Sequence, residues 1–416
     1  MIGSNDSFIS NLQKQDYNAD LRSKGSAGLK VLSAPTRRSE RWKYSPISKL
    51  LTKSLKSCAG ENVVWPESIT PHPVPHLNAY LMVFRNGFFV SSLSDLPYAD
   101  GVICTTASQS EYEAIDGTYH EKEWVGALNA AYHQDGAYIK IDKGVVLDRP
   151  IIIHHLTYGE DIASLPRHSV ILGDGAEADI ILWNSATEDS TGMYNRIFEA
   201  QVGKNASLRV EKVCNEHGEI YNFSHESIRQ ERDSRFTTNN FTIRGSWVRN
   251  ELCIKSKGEG TDSVFNGAYM PADSDHIDNH TTMDHAFPNS TSSEMYKGIM
   301  YDKSTGVFNG KIYVRQDAQK TAAFQQNSNI VAAKGATINT KPELEIYADD
   351  VKCSHGCTVG QFDEEAMFYL NTRGINEENA KSLLVQAYIG DVLNSVKFEE
   401  VKNEVVKLYS ERHGWL

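Results

Sequence analysis

Gly173-Asp174-Gly175, Ile180-Ile181-Leu182-Trp183, Gly203-Lys204-Asn205, Leu208-Arg209-Val210: a turn-forming patch, a short β-rich run, a second patch and a second run. The alternation extends outward in both directions. Arg232-Asp233-Ser234 and Gly258-Glu259-Gly260 supply further turn patches. Further β-rich runs lie at Tyr138-Ile139-Lys140-Ile141, Ile151-Ile152-Ile153, Phe241-Thr242-Ile243 and Glu251-Leu252-Cys253-Ile254, and then at Lys311-Ile312-Tyr313-Val314 and Leu344-Glu345-Ile346-Tyr347. Successive patches fall roughly 26 to 30 residues apart, a spacing that signals repeat or solenoid architecture. A parallel β-helix and a large β-sandwich both suit a long stretch of short strands and polar turns. The regular spacing favours the mainly β, parallel β-helix reading, in which each coil buries its apolar positions against the next.

The ends of the chain read differently, which gives a region 1–135 with helices and a β-hairpin, a β-helix core over 136–360, and a helical domain over 361–416. Residues 1 to about 60 look polar and helical, and Ser45-Pro46 has the form of a helix start. Arg85-Asn86-Gly87 between Tyr80–Phe84 and Phe88–Val90 is a hairpin signal. Glu121 to Tyr132 reads as a helix. Beyond 360, Asp363 and Asn376 are placed to cap two helices, and Arg373-Gly374 to close the first. Leu383, Leu384, Ala387 and Tyr388 form the second helix's amphipathic stripe, and a third, charged helix is expected from about Lys397 to Arg412. These flanking helices are expected to protect the open ends of a solenoid.

Hydrophobic content of 40% and charged content of 23% describe a soluble globular chain of 416 residues. A net charge of -12 leaves no basic stripe for phosphates, so no nucleic-acid partner is expected. Met1–Asp6 lacks the basic and apolar regions of a secretory signal, and no window reaches the roughly 18 apolar residues of a membrane span. The six cysteines (58, 104, 214, 253, 353 and 357) follow no disulfide framework, which fits reduced thiols in the cytoplasm. Cys58, Cys104, Cys214 and Cys253 read as core filler.

Neither a P-loop, a G-x-G-x-x-G fingerprint, a nucleophile elbow nor a His-Glu-x-x-His motif is present, so the chain has no ATP site of the P-loop type. Two constellations remain. On a strand, Cys353, His355 and Cys357 leave one face, as a soft-metal or iron–sulfur set would require. His276, Asp278 and His280 share a face in the same way. Each set also has a plain structural reading, as small apolar fillers and satisfied histidines or as polar ladders along a solenoid.

Several blocks resemble the SufB/SufD family of iron–sulfur cluster assembly proteins, most of all its SufD branch. Glu40-Arg41-Trp42-Lys43-Tyr44 is similar to the family's N-terminal E-x-W-K-Y element, and His276–Thr281 with Glu294–Gly298 to its central block. Asn339–Gly356, ending in Lys352-Cys353-Ser354-His355-Gly356, is the most specific match, and it continues through Asp363-Glu364-Glu365, Phe368-Tyr369-Leu370 and Arg373-Gly374-Ile375. The resemblance implies a right-handed parallel β-helix and a non-ATPase scaffold subunit. It implies pairing with a SufB-type subunit, with a transient iron–sulfur cluster at the shared interface. It also implies docking of a SufC-type ABC ATPase by the C-terminal helices, for which Phe368, Tyr369, Arg373 and Tyr388 are candidates. His355 becomes the expected ligand or acid/base group at that interface, with Cys353 and Cys357 beside it. Cys357 departs from the small residue the family favours, and whether it takes part stays open, as do flavin binding and homodimerisation without a SufB partner. Along a straight strand the two thiols stand roughly 13 Å apart, too far for a disulfide.

Two other readings use the same residues. One is a carbohydrate-active β-helix enzyme with Asp273, Asp275, Asp278 and Asp284 as calcium or acid/base carboxylates. The other is a purely structural β-helix that docks an ATPase.

Overall fold

The computed structural model describes residues 8–57, 66–110, 115 and 119–414; Cys58 and the first residues, Met1–Asp6, lie outside this set. Strands β1 (Tyr80–Arg85), β2 (Phe88–Phe89), β3 (Val102–Thr106), β4 (Ala137–Ile141), β5 (Ile151–Thr157), β6 (Ile162–Ser164) and β7 (Arg167–Leu172) open the body. The middle is β8 (Glu177–Ala186), β9 (Thr191–Val202), β10 (Ser207–Glu216), β11 (Glu219–Gln230), β12 (Arg235–Arg244) and β13 (Trp247–Ser256). It ends with β14 (Asp262–Tyr269), β15 (His276–His285), β16 (Thr291–Met300), β17 (Thr305–Val314), β18 (Ala322–Val331), β19 (Thr337–Ile346) and β20 (Lys352–Gly360). Two ten-stranded sheets take these alternately. One runs β2-β1-β5-β8-β10-β12-β14-β16-β18-β20, the other β19-β17-β15-β13-β11-β9-β7-β4-β3 with β6 beside β9. The result is a parallel β-solenoid of about eight turns, as the spacing predicts.

The turn patches explain the regularity. Gly175, Asn205, Asp233, Gly260, Asn289 and Lys320 all have positive φ, roughly 30 residues apart, one coil each. Their backbone N–H groups donate to the next coil: Gly175 to Lys204 O at 2.8 Å, Asn205 to Arg232 O at 3.0 Å and Asp233 to Glu259 O at 2.9 Å. The column continues through Gly260, Asn289 and Lys320, the last donating to Asp350 O. Gly, Asn and Asp tolerate the left-handed region, which is why such residues mark the corners.

The interior is apolar near the amino-terminal coils, where Ile139, Ile153, Val170, Ile180, Leu182 and Phe198 are buried together. It also holds charge: Glu226 accepts from both Arg196 and Lys212, the latter at 2.8 Å.

Helices α1 (Ala19–Val31), α2 (Tyr119–Lys122) and α3 (Trp124–Tyr132) precede or flank the first coils. Among the described residues before 58, the expected N-terminal helical segment is α1, followed by single 3-10 turns at Glu40–Trp42 and Leu50–Thr52. No α-helix follows Ser45-Pro46, because the Ser45 hydroxyl is used elsewhere, on Asp278 and His276. The expected 121–132 helix is interrupted at Glu123, which has extended backbone. The Asn86-Gly87 hairpin forms between β1 and β2.

At the other end lie α4 (Glu364–Thr372), α5 (Glu377–Leu393) and α6 (Glu399–His413). Asp363 caps α4 by accepting from the N–H groups of Glu365 and Ala366, and Asn376 caps α5 through the N–H of Asn379. α5 meets the solenoid through Ser382, Val385, Ile389 and Val392. The expected stripe is therefore displaced by about one position: Leu383 and Ala387 are exposed, and Leu384 and Tyr388 are half-buried. α6 lies against the sheet, with Val401, Val405 and Tyr409 buried.

Candidate functional site: the open end and a covered cavity

β20 pairs in parallel with β18, placing Cys353 opposite Ala323, His355 opposite Gln325 and Cys357 opposite Asn327. Those three partners are buried, on the inward face of their coil. Cys353, His355 and Cys357 thus share one face, as the i, i+2, i+4 spacing predicts, and it is the lumen face. β20 and β19 are the last strands of their sheets, so among the described residues no further strand covers this face. Cys353 is half-buried, and His355 and Cys357 are exposed. Burial raises the Cys353 thiol above its ordinary range.

Polar residues lead back from this end into the lumen. The Thr340 hydroxyl donates to Asn327 Oδ1 at 2.8 Å and lies 3.3 Å from Cys357 Sγ. Asn329 also donates to Asn327 Oδ1, at 2.6 Å, and accepts from the Tyr269 hydroxyl at 2.7 Å. One rung behind His355 is Gln325, whose Nε2 donates to Glu294 at 2.7 Å. Glu294 is fully enclosed with Thr281 and Gln325 as its hydrogen-bond donors, and burial pushes its carboxyl up to about 7. The unfolded chain releases that proton near 4.5, so the folded state holds more protons between the two values and loses stability as pH rises through about 7. Glu294→Gln removes this penalty. The variant is expected to gain up to a few kcal/mol over the wild type at pH 8 and little at pH 4, read from denaturant midpoints across pH.

The second region lies on the outer face of the other sheet. Register aligns His225, Glu251, His280, Asn309 and Lys341 in one row, and Ser227, Cys253, Thr282, Lys311 and Glu343 in the next. All of these residues except Ser227 line a cavity of about 900 Å³. Residues 40–45 lie across it. The Arg249 guanidinium stacks 4.1 Å from the Trp42 ring, Arg41 pairs with Glu123 at 3.1 Å and with Glu251, and Ser45 donates to Asp278. His276, Asp278 and His280 do share a face: Ser45 Oγ stands 2.9 Å from His276, and His280 Nε2 lies 2.9 Å from Asp278. Burial alone would raise the Glu251 carboxyl, but Arg41, His225 and Arg249 outweigh it and hold it at about 2. For Asp278 burial is likewise outweighed, by His280 and Arg249, so its carboxyl stays below the usual range.

Among the described residues, the one group of three metal-type donors within 4.8 Å of one another is His225, Glu251 and Cys253. Cys353, His355 and Cys357 are not drawn into such a set. Cys253, expected as filler, instead lines the cavity, whereas Cys214 is buried and Cys104 packs beside Met82 as expected. The parity of Arg249, Glu251, Cys253 and Lys255 against Leu252 and Ile254 was the available signal. The four aspartates of the enzyme reading are spread among arginines: Asp273 and Asp275 on Arg412, Asp278 on Arg249, Asp284 on Arg315.

Of the docking candidates, Phe368 and Tyr369 are 71% and 57% exposed, and Arg373 lies over the Tyr369 ring. Tyr388 is half-buried against the solenoid, its carbonyl accepting from Lys297 at 2.7 Å. No residue of α4 is buried.

Two family models match the sequence: the SufBD core domain of the SUF iron–sulfur cluster assembly system over residues 155–388, and the SufBD N-terminal region over residues 4–153. The chain is 31% identical to the iron–sulfur cluster assembly protein SufD of Escherichia coli K12, covering 91% of this chain and 89% of that protein. It is 30% identical to the SufBD family protein slr0076 of Synechocystis, over 99% and 92% of the two chains. The SufD of Bacillus subtilis is 24% identical over 73% of this chain and 70% of its own length. With the core and N-terminal family models together spanning most of the sequence and a SufD 31% identical over 91% of it, the chain belongs to the SufB/SufD family of iron–sulfur cluster assembly proteins and is SufD-like within it.

Proposed function

We propose that this chain is a non-ATPase scaffold subunit of a SUF assembly complex. Its last coil joins a SufB-type solenoid, and its C-terminal helices dock a SufC-type ABC ATPase that supplies ATP hydrolysis. The observation that carries this reading is the uncovered lumen face of β20. An open solenoid end exposes strand edges and interior side chains that a second solenoid end would cover. Iron and sulfide are cargo here. His355 offers an imidazole nitrogen to iron, and since among the described residues it belongs to no three-donor set, the remaining ligands come from the partner. Phe368 and Tyr369 on α4 and Leu383 on α5 are exposed apolar side chains suited to docking the ATPase. Reduced thiols fit a reducing compartment such as the cytoplasm, and among the described residues no helix is long and apolar enough to cross a membrane.

Anaerobic co-expression with SufB-type and SufC-type chains tests this directly. A three-component complex on size exclusion, containing iron and acid-labile sulfide, is the expected result. Elution of this chain alone, with the other two paired without it, would overturn the proposal.

A further inference from the structure

The donors His225, Glu251 and Cys253 stand apart from the open end, on strands β11 and β13. β13 is three strands in from the terminal β19 of its sheet. Their ligand atoms lie within 4.8 Å of one another, close enough for side-chain adjustment to close them on one ion, whose bonds to such donors are about 2.0–2.3 Å. Four observations point inward to a ligand. His225 is 5% exposed and its Nδ1 has no hydrogen-bond partner. Its ring is fixed by stacking on Tyr119, with centroids 3.5 Å apart and planes 11° from parallel. Glu251 Oε1 is taken by Arg41, but Oε2 meets Tyr119 only at 3.5 Å and Arg249 at 3.9 Å, both long. The third donor, the Cys253 thiol, lines the cavity wall, so a fourth coordination position would open toward a space of about 900 Å³.

We infer that His225, Glu251 and Cys253 form a binding site for a single divalent transition-metal ion of borderline softness, such as Zn(II) or Fe(II). Imidazole, carboxylate and thiolate together select such ions over Mg(II) or Ca(II), which take all-oxygen shells. Three protein ligands leave one position for water or an incoming group, the pattern of an exchangeable site and not of a closed structural one. On binding, the Cys253 S–H bond breaks, the sulfur pair goes to the metal and the proton leaves to solvent. Arg41 and Arg249 oppose the cation, and Glu123, 3.1 Å from Arg41, offsets part of that charge. The site does not depend on the assembly reading, because it uses none of the residues at the open end.

The test is anaerobic titration of the full chain with Co(II) alone, followed by absorption. One equivalent is expected to give a thiolate-to-cobalt charge-transfer band and strong visible bands of four-coordinate geometry. Cys253→Ser is expected to lose the charge-transfer band with its circular dichroism unchanged, and Glu251→Gln to weaken binding by on the order of tenfold or more. A band that persists in Cys253→Ser places the ion on other thiols and overturns the site. So does the absence of any one-equivalent band. Should Cys253→Ser fail to fold, the wild type decides: Zn(II) must protect Cys253 from alkylation, read by peptide mass, and unprotected Cys253 overturns the inference.

Discussion

His355→Ala, introduced into the assembled three-component complex, is expected to lower retained iron and sulfide at least tenfold while leaving the complex's elution volume unchanged. The side chain is exposed, with no lumen packing of its own, so its truncation should alter fold stability by no more than about 0.5 kcal/mol. What it removes is the imidazole on the face that a second solenoid would cover. Iron and sulfide at wild-type levels in the variant complex would strip His355 of its role and leave a docking subunit without cluster chemistry. Loss of the complex itself would instead make His355 a contact residue.

Glu226→Ala should be far more damaging to the fold. Glu226 sits in the lumen between Arg196 and Lys212, and burial would raise its carboxyl were it not outweighed by those two cations, which hold it low. Removing it leaves two cations buried with no counter-charge, a change that costs about 3–5 kcal/mol. Burial already lowers Lys212 to about 8 with Glu226 present. Without Glu226 its folded value falls further, so the unfolded chain binds more protons across a wider range and the variant's stability rises with pH until about 10. The deficit in denaturant midpoint is therefore expected to shrink as pH rises from 7 to about 8, where wild-type Lys212 itself loses its proton, and Glu226→Ala/Lys212→Met should recover the part of it that Lys212 accounts for at pH 7, with Arg196 still unpaired. A pH-independent deficit, or no recovery in the double variant, would mean that packing and not charge accounts for the loss.

The solenoid was legible because its determinants are local. Gly, Asn and Asp at the corners mark residues with positive φ, and each recurs after one coil. The caps at Asp363 and Asn376, the Asn86-Gly87 hairpin and the shared face of Cys353, His355 and Cys357 follow from spacings of a few residues. The contacts that escaped prediction join segments far apart in sequence. Ser45 looked like a helix cap because Pro46 follows it, yet its hydroxyl answers Asp278, more than two hundred residues away. Cys253 looked like filler in an apolar run, and only the row beside Glu251 and the cover formed by residues 40–45 make it part of a cavity wall. On α5 several apolar residues compete to face the body. The choice fell to Val385 and Ile389 because the solenoid presents Val213, Phe241 and Ile299 in the same cluster, which no helical period records.

The in-register stacking of β18 and β20 gives the open end a reading frame. Lys320 is locked to Asp350 at the corner and Ala322 to Lys352 at the strand start, so every residue after that point takes the lumen or the solvent by odd and even number alone. A single-residue insertion between Asp350 and Cys353 would leave the coil, its ladder and its length nearly intact. It would also turn Cys353, His355 and Cys357 outward together and bring Ser354 and Gly356 into the lumen positions of His355 and Cys357. Whole coils added far upstream would leave the chemistry at the tip unchanged, whereas a change of length within the last strand preserves it only in steps of two.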